Sequence, residues 1–297
     1  MMTTRPASIP TPAVSQVGET CGNKNSGATC AFGFSCSSYG YCGNSTWHVS
    51  TLLGCQNSCS PTCVVPNTVS KTSKIPVGVE IGGCNVENSF AFSFDDGPSW
   101  MTKTVLDILD QFNIKTTFFV EGIKLFSTQN GTNNYAESTL EAYKRGHQIA
   151  AHSWDHKSYL YLNAAERAAE WDATSCMIQS VIGKVPRYFR FPYGEDTTAI
   201  LEETKHRNMK VVYWNFDAED WSLWETGKTV QDLINAYSSL LATETLTNGT
   251  LPPVISLNHD RFDITLKALP TLFTLVKQKG YKIMPLGTCL GDDDWYF

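Results

Sequence analysis

From about residue 80 onward, short runs of β-forming residues alternate with amphipathic runs that carry apolar residues at helical spacing. The strand candidates are FAFSF (90–94), KTTFFV (115–120), QIAAH (148–152), RYFRF (187–191), MKVVYWNF (209–216), PPVISLN (252–258) and YKIMPL (281–286). Runs such as TVLDILDQFN and AAERAAEWDATSCMIQSVIG fit the helices between them. About seven strand–helix units predict an α/β fold with parallel strands, as an open doubly wound sheet or a closed barrel.

Polar side chains at the predicted strand ends favour the barrel. They follow five of the strand candidates and are Asp95 and Asp96, His152 and His156, Arg190 and Tyr193, Asp217 and Asp220, and His259. In a (β/α) barrel the active site gathers at the C-terminal ends of the strands. Nucleotide-binding sheets are disfavoured, because neither G-x-G-x-x-G nor G-x-x-x-x-G-K occurs.

Cysteines mark a second, smaller region. Seven of the ten lie close together among Gly and Ser, and they are Cys21, Cys30, Cys36, Cys42, Cys55, Cys59 and Cys63. Such clusters are typical of disulfide-stapled domains in oxidising compartments. A zinc module is the weaker alternative, since paired C-x-x-C sets are missing. We expect a flexible segment at 1–17, a Cys-rich module at 18–63, a linker at 64–79 and a catalytic domain at 80–297.

Charge and hydropathy exclude two kinds of partner. The formal net charge of −6 argues against a nucleic-acid surface. No apolar run reaches the roughly 18 residues that span a bilayer. The cysteines predict a secreted protein, extracellular or in the cell wall, and we expect a monomer. The glycosylation triplets at Asn44, Asn130 and Asn248 agree with secretion. The opening MMTTRPASIPTPA lacks the apolar core of a signal peptide, so we expect the signal to be missing from this sequence.

The segment HSWDH (152–156) places two histidines four residues apart. On a helical turn both would face the same way and could share a metal ion, although this spacing is often coincidental. Ser153 stands where a zinc protease has its Glu, so a third ligand and a base must come from elsewhere. Asp95 and Asp96 can supply both, because the following Gly-Pro pair is expected to turn the chain and bring both carboxylates to the rim. The alternative is a solvated turn.

Five motifs, in this order, resemble those of the polysaccharide deacetylases of carbohydrate esterase family four. They are SFDDGP, HSWDHKSYL, RFPYG, DAEDW and ISLNH. The resemblance covers residues 80–297 and implies a distorted (β/α) barrel that hydrolyses N-acetyl groups on a sugar polymer. It also implies one divalent metal ion, expected to be zinc with cobalt able to substitute, on Asp96, His152 and His156.

The same resemblance implies the acid–base residues. Asp95 is the expected general base, held in place by Arg190. His259 is the expected general acid, paired with Asp220. Amide hydrolysis needs both, because water must lose a proton during attack and the leaving amine must gain one.

Further residues follow from the resemblance as substrate contacts. The backbone N–H of Tyr193 is expected to stabilise the oxyanion, as such reactions require. Trp221 and Leu257 are expected to line the acetyl pocket. Asp217 matches the fourth motif but receives no role. Glu121 stands where the family often has Asn, and we expect it to alter substrate contacts near the rim.

The Cys-rich region resembles the hevein-type chitin-binding module over residues 21–59, in CGNKNSGATCAFGFSCSSYGYCG and CQNSC. The alignment implies the disulfides Cys21–Cys36, Cys30–Cys42 and Cys55–Cys59. The family's fourth bridge is missing at both of its positions. The sugar-contacting positions correspond to Ser37, Tyr39, Tyr41 and, for the third aromatic, His48 or its neighbour Trp47. The alternative is that these aromatics fill a small core.

The other cysteines lie far apart. Cys84 and Cys289 are expected to staple the ends of the catalytic domain, Cys176 to be a buried free thiol, and Cys63 has no evident partner. The sequence thus predicts a secreted chitin deacetylase with a chitin-anchoring module. The alternatives are a deacetylase of peptidoglycan or acetylated xylan, and a catalytically inactive chitin-binding lectin. A chitinase is disfavoured because D-x-x-D-x-D-x-E is absent.

Overall fold

The structure is a computed structural model that describes residues 14–15, 18–30, 34–50, 55–56, 74–126, 135–242 and 249–297. The chain divides into two compact units between residues 60 and 61. Within the described ranges, every helix is too short or too polar to cross a membrane.

The N-terminal unit consists of very short elements around disulfides. They are β1 (Val14–Ser15), β2 (Thr29–Cys30), β3 (Ser35–Cys36), β4 (Cys42–Gly43) and α1 (Thr46–Val49). The bridges Cys21–Cys36 and Cys30–Cys42, both implied by the hevein resemblance, form its buried centre. A unit this small has little apolar core, so covalent bridges supply much of its stability. Cys55 is also disulfide-bonded, and its expected partner Cys59 lies outside the described residues.

The C-terminal unit is built on a sheet of parallel strands. These are β5 (Glu80–Ile81), β6 (Ser89–Gly97), β7 (Thr117–Val120), β8 (Gln148–Ala151), β9 (Tyr188–Phe189), β10 (Lys210–Val212), β11 (Phe216–Asp217), β12 (Val254–His259) and β13 (Lys282–Ile283). Eight of them follow the order β11-β12-β6-β7-β8-β9-β10-β5, and β13 pairs with β6 beside this path. The sheet curls into a half-barrel, so the predicted distorted (β/α) barrel is confirmed.

Most helices cover the outside of the sheet, whereas Leu286, Cys289 and Leu290 of the last helix pack against the barrel interior. The helices are α2 (Thr102–Gln111), α3 (Gly122–Phe126), α4 (Tyr135–Lys144), α5 (Ala164–Ile182), α6 (Thr198–His206), α7 (Leu223–Thr226), α8 (Val230–Leu241), α9 (Asp263–Lys279) and α10 (Leu286–Leu290). A capping box at Asn163 and Glu166 starts α5, and Gly183, with φ of 74°, ends it. Parallel strands need such crossover helices, which bury the outer face of the sheet.

Strand β6 shows how the side chains divide between the two faces. Phe90, Phe92 and Phe94 pack in the hydrophobic core between the sheet and the helices. Ala91 packs in a second apolar cluster, in the barrel interior. This alternation has the period of a strand. It places Asp95 on the same face as Ala91, which is the interior face.

The C-terminal residues close the end of the barrel opposite the predicted site. Lys210, the first residue of β10, is buried and forms an ion pair with buried Asp292, which also accepts a hydrogen bond from the Tyr188 hydroxyl at 2.5 Å. The Arg187 guanidinium forms an ion pair with Asp294, and the Arg187 backbone N–H donates to the Trp295 carbonyl at 3.0 Å. Buried charges at this end are therefore paired, as burial requires.

The disulfides of this unit differ in part from expectation. Cys84 and Cys289 are bonded, with Cα atoms 5.2 Å apart. Cys176 is also disulfide-bonded, and its partner lies outside the described residues. The expectation of a free thiol at Cys176 is therefore wrong. The even number of ten cysteines permits complete pairing, which an oxidising compartment favours.

Candidate active site

Both aspartates lie within β6, which ends at the Gly-Pro pair as predicted, but a bulge rather than the expected turn brings the two carboxylates together. Between the pairs Phe94–Phe118 and Gly97–Val120, β6 has one residue more than β7. This is a β-bulge, and Asp96 within it has a φ of 61°. The bulge cancels the alternation of the strand, so that both carboxylates line the same cleft.

The two histidines of HSWDH lie on an irregular loop after β8 rather than on the expected helical turn. Ser153 and His156 have left-handed backbones, with φ of 66° and 60°. The Ser153 hydroxyl accepts from the His156 N–H at 2.9 Å, and Glu170 of α5 accepts from the Trp154 N–H at 2.8 Å. Local side-chain bonds of this kind replace helical ones. The His152 and His156 rings still meet, with centroids 5.1 Å apart.

Three side-chain atoms converge at this point. Asp96 Oδ1 lies 3.3 Å from His152 Nε2 and 3.2 Å from His156 Nε2. His152 Nδ1 is 2.8 Å from the Arg190 carbonyl, which can only accept, so Nδ1 carries a proton and the neutral imidazole presents a lone pair at Nε2. Among the described residues, buried Asp96 Oδ1 finds no hydrogen-bond donor. Converging lone pairs of two imidazoles and a carboxylate fit a divalent cation such as zinc.

Asp95 is fixed by a buried arginine. Arg190 Nη1 donates to Asp95 Oδ1 at 2.7 Å and to the Ser93 hydroxyl at 2.8 Å. The guanidinium also lies 4.0 Å from the centroid of the Phe119 ring. Burial lowers the pKa of Arg190, and the Asp95 carboxylate opposes that shift. The second Asp95 oxygen, Oδ2, lies 3.9 Å from His152 Nε2, beside the three converging atoms.

His259 ends β12 and is paired with Asp220. The two side chains meet at 2.6 Å between Nδ1 and Oδ1, and Asp220 Oδ2 accepts from the His259 N–H at 2.8 Å and from the Thr265 hydroxyl at 2.6 Å. Burial alone would lower the pKa of His259, but the Asp220 carboxylate outweighs it and raises the pKa to about 9. The imidazole is therefore protonated at neutral pH, with Nε2 3.9 Å from Asp96 Oδ2.

These groups share a cleft of about 370 Å³. Tyr193, with a φ of 61°, places its ring 4.6 Å from that of His156, centroid to centroid. Leu257 of β12 contributes a buried apolar side chain to the lining. Trp221 Nε1 donates to Asp217 Oδ2 at 3.1 Å, so Asp217, which had no predicted role, orients the indole. The lining residues that received no predicted role are Phe191 and Gly194 of RFPYG, and Trp214, Trp224, Arg261 and Phe262 outside the motifs.

Two cations near Asp96 were not predicted. Arg261 Nη1 lies 3.1 Å from Asp96 Oδ2, and Lys124 of α3 donates to the Asp96 carbonyl. Glu121 is buried beside Lys124 rather than on the rim, so the expectation of a rim contact is wrong. Burial raises the pKa of Glu121, and Lys124 opposes the shift. The i,i+3 spacing of Glu121 and Lys124 could have predicted this ion pair, because residues at that spacing meet on a helical turn.

Asp260, next to His259, is a further buried carboxyl that sequence reasoning missed. It accepts a hydrogen bond from the Thr102 hydroxyl, and its carbonyl accepts from the Ser99 hydroxyl at 2.5 Å. Burial raises its pKa to about 6. These bonds tie the loop after β12 to the loop after β6.

In the N-terminal unit the predicted sugar contacts are only partly exposed. Tyr39 and Tyr41 are 66% and 42% exposed, and Lys24 Nζ lies 4.0 Å from the Tyr41 ring centroid. Ser37 is buried, and its hydroxyl accepts from the Tyr41 N–H at 3.3 Å. His48 is half-buried, with Nδ1 2.7 Å from the Ser45 hydroxyl. The side chain of Trp47 lies outside the described part of the structure.

Comparison with known proteins decides the family. The polysaccharide deacetylase family matches residues 82–212. A chitin deacetylase of Pestalotiopsis sp is 32% identical over 229 residues, which cover 76% of this chain and 72% of that protein. The chain belongs to the polysaccharide deacetylase family. It is therefore a hydrolase of amide C–N bonds, in a family that uses a divalent metal.

Other relatives of this deacetylase differ in how much of their own length this chain covers. The chitin deacetylase of Colletotrichum lindemuthianum is 27% identical over 254 residues, which cover 84% of this chain and 99% of that protein. Its solved structure has the same fold, with a TM-score of 0.68 at 24% identity, covering 75% of this chain and 97% of the other. A probable peptidoglycan-N-acetylglucosamine deacetylase of Arthroderma benhamiae is 30% identical over 229 residues, which cover 76% of this chain but only 49% of that protein.

Proposed function

We propose that this deacetylase removes N-acetyl groups from chitin and chitooligosaccharides, releasing acetate and leaving glucosamine units. The observation that carries the proposal is the convergence of Asp96, His152 and His156 in one cleft with Asp95 and His259. Relatives named as chitin deacetylases support the choice of polymer. Disulfides in both units support an extracellular location, and we propose that the enzyme acts as a monomer.

In this proposal Asp96, His152 and His156 hold one divalent ion, with zinc preferred and cobalt able to replace it. Bound there, the ion would supply a Lewis acid that polarises the acetyl carbonyl and acidifies water. The Arg190 carbonyl fixes the tautomer of His152, so that its Nε2 faces Asp96 Oδ1 and would be free to bind the ion.

The proposed base and acid are neighbours beside these ligands, because Asp95 of β6 pairs in register with His259 of β12. Asp95 removes a proton from the attacking water through Oδ2, while Arg190 holds Oδ1 and keeps the carboxylate oriented. His259 is protonated at neutral pH and donates to the leaving amine, and Asp220 stabilises its cationic form. The division of labour follows from the two environments, since Asp95 is bonded to a guanidinium and His259 to a carboxylate.

The remaining residues hold the acetyl group. The backbone N–H of Tyr193 is proposed to donate to the oxyanion that forms during attack. The buried side chain of Leu257 and the indole of Trp221 are proposed to surround the acetyl methyl group. The bond from Trp221 Nε1 to Asp217 keeps the indole in place.

Acetate release tests the function. The purified protein is incubated with chitin oligomers, cellulose oligomers, peptidoglycan and acetylated xylan, and products are sequenced by mass spectrometry. We expect acetate mainly from N-acetylglucosamine polymers. Activity should be lost with a chelator and regained with zinc or cobalt. Full activity after verified metal removal would contradict the metal site. Preferred turnover of peptidoglycan or xylan would support those alternatives, and chitin binding without acetate release would support a lectin.

The N-terminal unit is proposed to anchor the enzyme on insoluble chitin through Tyr39 and Tyr41, whose flat exposed rings can stack on the apolar faces of N-acetylglucosamine. Ser37, His48 and Trp47 are proposed to complete this surface. We expect Tyr39→Ala with Tyr41→Ala to reduce pull-down on chitin beads by about tenfold. Activity on soluble oligomers should stay near the wild-type level. Unchanged pull-down would instead assign anchoring to the catalytic cleft.

A further inference from the structure

The segment between β11 and α8 presents two tryptophans to the cleft. Trp221 and Trp224 lie three residues apart, and both belong to the cleft lining. Their exposed fractions are 45% and 83%. An indole has a large apolar area, so covering it with a partner gives a large favourable free energy of binding. The largely exposed ring of Trp224 is therefore available to a ligand that extends beyond the acetyl pocket.

This segment is pre-organised by its own hydrogen bonds. Lys228 Nζ donates to the Ala218 carbonyl and lies 2.7 Å from it, and Glu219 Oε2 accepts from the same ammonium at 2.7 Å. Asp217 holds the Trp221 indole, and Asp220 of the same segment bonds the imidazole that ends β12. A ring on a rigid segment loses little entropy when it binds.

We propose that Trp224 stacks on a pyranose ring adjacent to the sugar whose acetyl group is removed. The proposal rests on the proposed function and specifies the residue that contacts a second sugar of the substrate chain. The flat face of a β-linked pyranose presents C–H groups that can pack on the indole while its hydroxyls remain in water. Trp221 then contacts the reacting sugar and Trp224 the next one.

The test measures kcat/KM on N-acetylglucosamine oligomers of two to six units. Trp224→Ala should lose about tenfold on the hexamer, mainly through KM, and progressively less as the oligomer shortens. Trp224→Phe should recover most of the loss. Trp100→Ala is the matched control, because Trp100 is 69% exposed and does not line the cleft. An equal loss at every length, or no loss, would overturn the stacking site.

Calorimetric binding of the hexamer separates this proposal from the proposed function. If the wild type binds the hexamer with an affinity that depends on Trp224 but releases no acetate, the stacking site stands and the catalytic function fails. If acetate is released and the Trp224 variants bind and turn over as the wild type does, the catalytic function stands and the stacking site fails.

A different observation concerns the ion pair of half-buried Lys124 and buried Glu121 beside Asp96. Lys124 Nζ donates to the Asp96 carbonyl and lies 3.2 Å from Glu121 Oε1. The Glu121 N–H donates to the Gly97 carbonyl at 2.9 Å. The Lys124 ammonium and the Glu121 backbone therefore bond two successive carbonyls of the bulge that carries Asp96.

The bulge needs such support. Asp96 has a φ of 61°, a conformation that is unfavourable for a residue with a Cβ atom. A lone ammonium beside the three converging atoms would repel a cation, and the Glu121 carboxylate offsets that charge. We infer that Lys124 and Glu121 are positioning residues that hold the Asp96 backbone so that Oδ1 faces both histidines.

The double variant Glu121→Gln with Lys124→Met tests this inference, because it removes both charges and the bond to Asp96 together. We expect zinc and cobalt affinity, measured by competition with a chromogenic chelator, to fall by about 10- to 100-fold. The visible spectrum of bound cobalt should also change. Lys103→Met is the control, since Lys103 forms an exposed ion pair with Asp107 at 3.6 Å.

Lys124→Arg provides a second variant in case the double variant folds poorly. It keeps the charge but changes the reach to the carbonyl, so a smaller loss of affinity with an altered cobalt spectrum is expected. A lower melting temperature combined with wild-type metal affinity and spectrum would overturn the positioning role and leave the pair purely structural.

Discussion

Replacing Asp95 with Asn is expected to lower kcat by about 100- to 10,000-fold while the metal content stays at the wild-type level. The amide has nearly the same shape and can still accept from Arg190 Nη1, 2.7 Å from Asp95 Oδ1 in the wild type. It cannot take a proton from water. Asp95 is also not one of the three residues that could hold the metal. The substitution should therefore lower turnover without lowering metal content. Metal analysis and acetate release on the purified variant measure both quantities.

Asp96→Asn is the matched comparison, with the opposite expected pattern. A neutral amide at this position removes the charge that balances a cation between His152 and His156. The variant should bind metal weakly, and excess zinc should restore part of its activity. If Asp95→Asn arrives without metal and Asp96→Asn arrives loaded, the two roles are exchanged. If both variants keep metal and activity, the two aspartates have no role in metal binding or catalysis.

The second large effect is expected far from the cleft. Lys210→Met should lower the free energy of unfolding by about 3–5 kcal/mol, because it leaves Asp292 buried without its cation. The two side chains are 0% and 2% exposed. The Asp292 carboxylate also accepts from the Tyr188 hydroxyl of β9 at 2.5 Å, which joins the C-terminal residues to the sheet. The end of the chain should therefore loosen as well. Denaturant unfolding of the purified variant measures the change.

Lys205→Met is the control for this prediction. Lys205 also forms an ion pair, with Glu202 at 3.0 Å, but the side chains are 54% and 53% exposed. Removing an exposed pair should cost less than about 1 kcal/mol. Equal effects of the two substitutions would show that burial of the Lys210–Asp292 pair contributes nothing to stability.

The sequence predicted the strands better than the backbone of the site. All seven predicted runs overlap observed strands, because buried parallel strands are continuous apolar runs. The run MKVVYWNF divides into β10 and β11, and the two-residue β5 was missed. Elements this short carry too few residues for a periodic signal.

The dihedral angles that assemble the site have no sequence signal. Asp96, Ser153 and His156 all have positive φ without being glycine. Spacing therefore placed the histidines on a helix, and the Gly-Pro pair placed the aspartates before a turn. Tertiary bonds, such as that from Lys124 to the Asp96 carbonyl, hold these conformations, and they depend on residues outside the motifs.

The bond between Cys84 and Cys289 spans a sequence separation of 205 residues, which makes most of the deacetylase unit a covalent ring. Proteases outside the cell cut preferentially at exposed loop tips. A single cut within this ring would leave two fragments that remain linked. Such a nicked molecule would keep its mass and move as one species on a gel until a reducing agent separates the pieces. The integrity of a preparation can therefore be judged only after reduction.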